Sequence, residues 1–207
     1  MIERISPLDM GLTPDRTIDR GGWQIPLTYV GERTRGDLFI SDLSHVPKWC
    51  LQGPNLNDEE PTGLKMPQGP GAVTMDQGIL LIRLMASEAR IMALSDNVPV
   101  FGGTGFTNVT DAYASLAVVG PRCFDVLGKL SGVDLDGPAA PPAALAPVED
   151  VTCLMVRLER QGGTPGIIIS GARGYGHFLL DAFLDAGKEY GIQPAGLQRL
   201  SGWLGEP

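Results

Sequence analysis

Apolar positions in this chain recur now at every second residue and now at helical spacing, and the changes of period mark its elements. After a start punctuated by proline and glycine, IPLTYVGERTRGDLFISDLSHVPKWCLQGP reads as an extended or helical lead-in around Tyr29 to Arg35. A strand, a tight connection and a second strand follow, with Asp42, Ser44 and Pro47 as turn-type residues and Gly-Pro as the stop. NLNDEEPTGLKMPQGPG, rich in proline, glycine and acids, predicts a surface loop. GILLIRLMASEARIMAL predicts a hairpin of Ile79 to Met85 and Ala89 to Leu94 turning at Ser87 and Glu88, with one long helix as the competing reading.

SDNVPVFGGTGFTNVTD predicts another loop. AYASLAVVGPRCFDVLGKLSG switches from strand to helix at Gly120-Pro121, because a proline in the first helical turn gives up no intrahelical bond. Phe124, Val126, Leu127 and Leu130 then form an apolar stripe. LDGPAAPPAALAPVED has too few bulky apolar residues to build a core and reads as a connector near 136–148. TCLMVRLER and GIIISG flank a QGGTPG turn as a hairpin. HFLLDAFLDAGKEYG predicts an amphipathic helix with Phe178, Leu179, Ala182, Phe183 and Ala186 on one face and Gly191 as its stop. The order is α+β, built on antiparallel hairpins and not on regular βαβ alternation. A length of 207 residues fits one sizeable core, or two small intertwined lobes sharing one.

Composition narrows the class: 43% hydrophobic and 19% charged residues describe a globular chain. A net charge of -8 disfavours nucleic acid and anionic membranes as partners, since the average surface repels both. Arg33 and Arg35 read as a solvated face. The N-terminus MIERISPLDM has no secretory apolar stretch and GILL is far short of a membrane span, so a cytoplasmic protein is expected. Cys50, Cys123 and Cys153 are widely spaced among apolar neighbours and predict buried free thiols. With two histidines, His45 and His177, and no C-x-x-C, no metal site is expected.

Candidate chemistry begins with SDLSHVPKW, where Asp42, Ser44 and His45 invite a hydrolase reading. No nucleophile elbow or oxyanion loop accompanies them. The expected role is local: Asp42 and Ser44 bond backbone amides at the strand connection, and His45 is a partly buried polar group. FGGTGFT and SGARGYGHF lack the spacing of a phosphate loop and predict turns.

Three stretches together carry a family resemblance. TRGDLFISDLSHVPKWCLQGP resembles the signature near the N-terminus of the glycine-cleavage T-protein (aminomethyltransferase) superfamily, an "aglfDlSHmgk" core before a strand and Gly-Pro. DAYASLAVVGPRCFDVLGKLSGVDL is similar to the family's strand, Gly-Pro and helix, and HFLLDAFLDAGKEYGIQPAGL to its helix followed by Gly-Ile-x-Pro-Ala-Gly-Leu. The resemblance implies a T-protein-like α+β fold of antiparallel sheets with packed helices, whose central hole binds tetrahydrofolate. Full T-proteins continue into a barrel-like domain after Pro-Ala-Gly-Leu, whereas this sequence stops at RLSGWLGEP. In size it resembles the gamma subunit of heterotetrameric sarcosine oxidase.

The family's one-carbon chemistry needs a carboxylate to support a cationic amine, in a "GG-ilDDliv" strand. Here the matching piece is TMDQGILLIRL and the acid pair is missing, leaving Asp76 as the candidate catalytic residue. Loss of one preorganised electrostatic group costs about 3–4 kcal/mol of transition-state support. ERQGGTPGIIIS likewise lacks the family's pterin-holding Glu. Tyr113 and Arg199 are the candidate tetrahydrofolate contacts, with Tyr113 and Trp23 otherwise core or rim aromatics. The resemblance therefore implies an accessory, non-catalytic subunit of a folate-linked amine-oxidising or demethylating complex, beside a larger flavin- or folate-dependent partner. The alternatives are a stand-alone folate-dependent aminomethyltransferase or methyltransferase, and a folate-binding regulatory module.

Overall fold

Alternating side chains and glycine-bearing turns make strands the dominant element of the computed structural model, which describes residues 3–33, 36–95, 98, 100–101, 104–159 and 163–205. In chain order the first strands are β1 (Pro14–Arg20), β2 (Trp23–Tyr29), β3 (Phe39–Asp42), β4 (Lys48–Gln52), β5 (Val73–Asp76), β6 (Ile79–Met85) and β7 (Glu88–Ala93). There follow β8 (Phe106–Asn108), β9 (Tyr113–Val119), α1 (Cys123–Leu130), β10 (Ala143–Val148), β11 (Val151–Glu159) and β12 (Pro165–Ala172). The chain then runs through α2 (Gly176–Gly187), β13 (Gln193–Ala195) and α3 (Leu197–Leu204). The α+β expectation holds. A six-stranded sheet runs β10-β11-β12-β9-β3-β13, a five-stranded sheet β5-β6-β7-β4-β8, and β1 and β2 form a separate hairpin. Every pairing except β13 with β3 is antiparallel.

Burial on both faces explains the near-continuous apolar runs of the six-stranded sheet. Ile40, Leu116, Val118, Met155, Ile167 and Ile169 pack on one side, against α1 and α2 through Val126, Leu127, Leu180 and Phe183. Phe39, Val119, Val156 and Ile168 face the other way, against Leu80, Ile82 and Met92 of the second sheet and Leu200 and Trp203 of α3. A smaller core of Trp49, Leu51, Leu81 and Ile91 lies on the outer side of the second sheet.

The predicted hairpins 79–94 and 152–171 form, the second with strands Val151–Glu159 and Pro165–Ala172, and the first turns one residue earlier than expected, at Ala86-Ser87. The turn of the second lies partly outside the described residues. Within the predicted surface loop 55–71, Leu56 and Met66 are buried in the smaller core. The connector expectation needs correction over 143–148, because Ala143–Val148 pairs in full register with β11. Small side chains suffice there: Ala144 and Ala146 pack against the helix-side core while Ala143 and Val148 are buried. The face of α2 also shifts, to Leu179, Leu180, Phe183 and Ala186, leaving Phe178 exposed. The sequence reading had no β1–β2 hairpin. Its turn is Gly21-Gly22, both at positive φ (61° and 90°), conformations that suit glycine in a two-residue hairpin turn.

Candidate functional site

β3 delivers the chain into a turn at Leu43–Pro47, and β4 takes it away as the strand between β7 and β8. Two bonds pin the turn's ends: Leu43 N–H donates to the Ser115 carbonyl (2.8 Å), and Ala93 N–H to that of Pro47 (3.0 Å). From this frame Leu43, His45, Val46 and Pro47 face a cavity of about 540 Å³. Trp23, Trp49 and Leu94 extend its apolar wall, and α3 adds Leu197, Leu200 and Leu204. Polar groups are few: Ser95, Asn108, Thr110 and Ser201, with the cationic Arg4 and Arg20. Both arginines are exposed, and Arg4 also pairs with Asp111 at 3.4 Å. Among the described residues, no Asp or Glu lines this space. Its size and its apolar lining with a few polar groups suit one small organic ligand.

The Asp-Leu-Ser-His stretch performs the expected local work and some that is not local. Asp42 Oδ1 accepts Ser44 N–H at 2.7 Å, and Oδ2 accepts the Ser6 hydroxyl. Burial pushes the Asp42 carboxyl above its ordinary range, against the hydrogen bonds from Ser6 and Ser44. The Ser44 hydroxyl reaches across to β9, accepting Ser115 N–H at 3.2 Å and so tying the turn to the central sheet. His45, 8% exposed, is pulled down to about 3 by burial and then by the charges of Lys48 and Arg20. It therefore offers the cavity a neutral imidazole, able to donate or accept but not to supply charge at neutral pH.

This depression has a measurable sign. Unfolded His45 takes up a proton near pH 6.5 and the folded ring only near 3, so stability present above 6.5 is lost as pH falls between the two values. The expected slope from this residue is about 1.4 kcal/mol per pH unit. Asp42, raised in the folded state, contributes the opposite slope above its unfolded pKa. Denaturant unfolding of wild type and His45→Gln across pH 4 to 7 isolates the histidine as the difference between the curves. Parallel curves would refute the burial of a neutral ring.

None of the three sequence-predicted site residues lines the cavity. Asp76 is exposed at the end of β5, where Gln77 (φ 46°) and Gly78 (φ 76°) make the hairpin turn to β6. Tyr113 opens β9, its hydroxyl accepting from Arg90 Nη2 at 3.2 Å and its ring under the Arg90 guanidinium at 4.5 Å. Arg199 stacks over Phe39 at 4.3 Å and donates to the carbonyls of Arg33 and Gly36, fastening the lead-in to α3. The residues missed were Arg4 and Arg20 at the cavity and the buried Lys48 beside its wall. A lysine between the apolar residues of a strand was the available signal for the last, because β4 has a strand on either side and is buried over Lys48–Leu51.

Cys50, Cys123 and Cys153 are buried free thiols, and burial pushes Cys123 and Cys153 up to about 12, which removes them as nucleophiles. Among the described residues no three His, Cys, Asp or Glu side chains gather as a metal site. No helix there is long and apolar enough to cross a membrane.

Comparison with known proteins agrees with this architecture. The model of the GCVT N-terminal domain family matches residues 72–202. The chain belongs to that family. Within reach of this GCVT-domain chain are curated aminomethyltransferases, including that of Streptomyces coelicolor, 30% identical over 209 residues and covering 86% of this chain and 55% of the relative. That of Saccharopolyspora erythraea is 25% identical, covering 85% and 55%. The chain thus spans about half the length of the curated relatives it matches. Among solved structures, aminomethyltransferase T of the Bartonella henselae glycine cleavage system superposes with TM-score 0.64 at 20% identity, covering 94% of this chain and 58% of that one. A chain of the heterotetrameric sarcosine oxidase of Corynebacterium sp. U-96, in complex with pyrrole 2-carboxylate, superposes with TM-score 0.61 at 16% identity, covering 78% and 89%. These two likenesses show the T-protein-like fold.

Proposed function

We propose that this GCVT-domain chain is an accessory, non-catalytic subunit of a tetrahydrofolate-linked amine-oxidising or demethylating complex, with a reduced folate held in the cavity. The observation that carries the reading is the cavity itself, whose apolar walls with two tryptophans are flanked by Arg4 and Arg20. Such a lining complements a flat heteroaromatic ring joined to a carboxylate tail. The neutral His45, Thr110 and Asn108 supply hydrogen-bonding groups for the ring. The proposed partner is a larger flavin- or folate-dependent subunit in the cytoplasm. The likeness to a chain of a heterotetrameric oxidase, 89% of which is covered, supports that reading.

The second reading, a stand-alone aminomethyltransferase, draws on the names of the curated relatives. It needs a carboxylate beside the reacting nitrogen, and its candidate Asp76 stands exposed on a hairpin tip.

Titration calorimetry with tetrahydrofolate tests the shared part. Binding is expected, weakened about fivefold in Arg20→Ala, the cost of one exposed charge pair, and weakened further by salt. Neither heat nor a thermal shift at high ligand would end the folate reading for this chain. The mass of the complex purified from its own source separates the two functions: a heavier flavin-bearing companion supports the subunit, and a lone chain with transferase activity supports the enzyme.

A further inference from the structure

Lys48 is among the largest fully buried side chains of the described residues, at 1% exposure, and the cavity reading leaves it without a role. Its Nζ donates to three carbonyls of the turn just before it in sequence: Leu43 (3.0 Å), Ser44 (3.1 Å) and Val46 (2.7 Å). Three N–H donors meet three acceptors, so the ammonium is saturated by backbone oxygens alone. Among the described residues no carboxylate forms an ion pair with it. Burial pulls its pKa down to about 7, with Asp42 and Asp111 favouring the charge from farther off and Arg90 opposing it. Three carbonyls at once can be served only by the protonated form, since a neutral amine has two N–H groups.

We propose that Lys48 is a positioning residue for the cavity wall, its ammonium filling a carbonyl cage shaped for a small monovalent cation of the ammonium class. The backbone of the turn wraps round the charge, with Val46 N–H closing it onto the Leu43 carbonyl at 3.1 Å. The side chains of Leu43 and Val46, with those of His45 and Pro47, form the wall. Without the ammonium, the Ser44 and Val46 carbonyls lose the partner that satisfies them inside the protein, and buried carbonyls are costly to orphan. The turn would then reorganise toward other donors, carrying the wall with it. Nothing in this clamp depends on which ligand the cavity takes.

Chemical rescue tests it on the full chain. In Lys48→Ala the cage is expected to stand open to ammonium chloride but not to tetramethylammonium chloride of equal ionic strength, whose cation has no N–H to donate. The variant's Tm should rise by about 3 °C or more in the first salt over the second, as for any ligand that binds the native state alone. Tryptophan emission, which includes Trp23 and Trp49 of the wall, should return toward wild type in the same salt. Wild type should respond equally to both salts. Lys48→Met keeps the apolar stem without the donors, and should fall short of wild type in Tm and gain nothing from ammonium. The proposal is overturned if Lys48→Met matches wild type in Tm and emission. It is equally overturned if Lys48→Ala behaves alike in the two salts, whether folded or unfolded in both.

Discussion

Gly120→Ala is expected to destabilise the chain by more than about 4 kcal/mol, enough to lower Tm by roughly 10 °C or to leave the protein insoluble. Gly120 follows β9 at φ 137°, a conformation that L side chains rarely adopt, and its N–H donates to the Pro165 carbonyl at 2.9 Å. A Cβ there would lie 1.8 Å from the Asp37 carbonyl oxygen and 2.9 Å from Leu38 Cα. Those neighbours are backbone, so nothing flexible can yield. The crossing segment leads directly into β3, which carries the turn of the cavity wall, so the damage should reach the site as well as the fold. Gly128→Ala is the control: within α1, with open space around the new methyl, it should stabilise by up to about 1 kcal/mol. Thermal and urea unfolding of the two variants checks both signs. A Gly120→Ala protein with wild-type Tm would refute this account of the strand-to-helix Gly-Pro.

That glycine also shows what the sequence could reveal. Its position before a proline, between an apolar run and a helical stripe, marked the end of a strand and the start of a helix, and both stand there. The hairpins of residues 79–93 and 151–172 were legible for a similar reason: dense apolar strands, both faces buried, interrupted by short turns. The β1–β2 hairpin was illegible by that criterion, because β1 has no buried residue and only Gly21-Gly22 betrays the turn. β10 escaped because alanines pair as well as valines along a backbone ladder, while the pattern of bulky residues counts only side chains. The site was less legible than the fold. Motif matching drew attention to Asp76, Tyr113 and Arg199, each engaged or exposed elsewhere, whereas the cavity is assembled from residues as distant as Arg4 and Leu204. Lys48 lay inside the quoted signature. Only the folded turn shows three carbonyls converging on it.

Ser201→Trp should raise the tetrahydrofolate Kd at least about 100-fold, a loss of roughly 2.7 kcal/mol, while leaving the fold intact. Leu197, Leu200, Ser201 and Leu204 follow the i, i+3, i+4, i+7 spacing that puts one face of α3 on the cavity. The helix is held elsewhere, by Trp203, whose indole N–H donates to the Thr164 carbonyl at 3.1 Å and whose ring closes against Gly166. Ser201 is only half-buried and lines the cavity, so an indole at that position has the cavity to occupy. Tm within about 3 °C of wild type, with binding abolished, is the expected pair of results by calorimetry and thermal unfolding. Unchanged affinity would place the folate outside this cavity, and would do so even though wild-type binding had upheld the wider folate reading. The accessory role adds a separate demand: the blocked variant should still enter the native complex at wild-type yield, because a subunit retained for assembly is recognised by its surface and not by what fills its core. Loss of assembly together with loss of binding would instead make the ligand itself part of the contact, and the subunit a folate-dependent one.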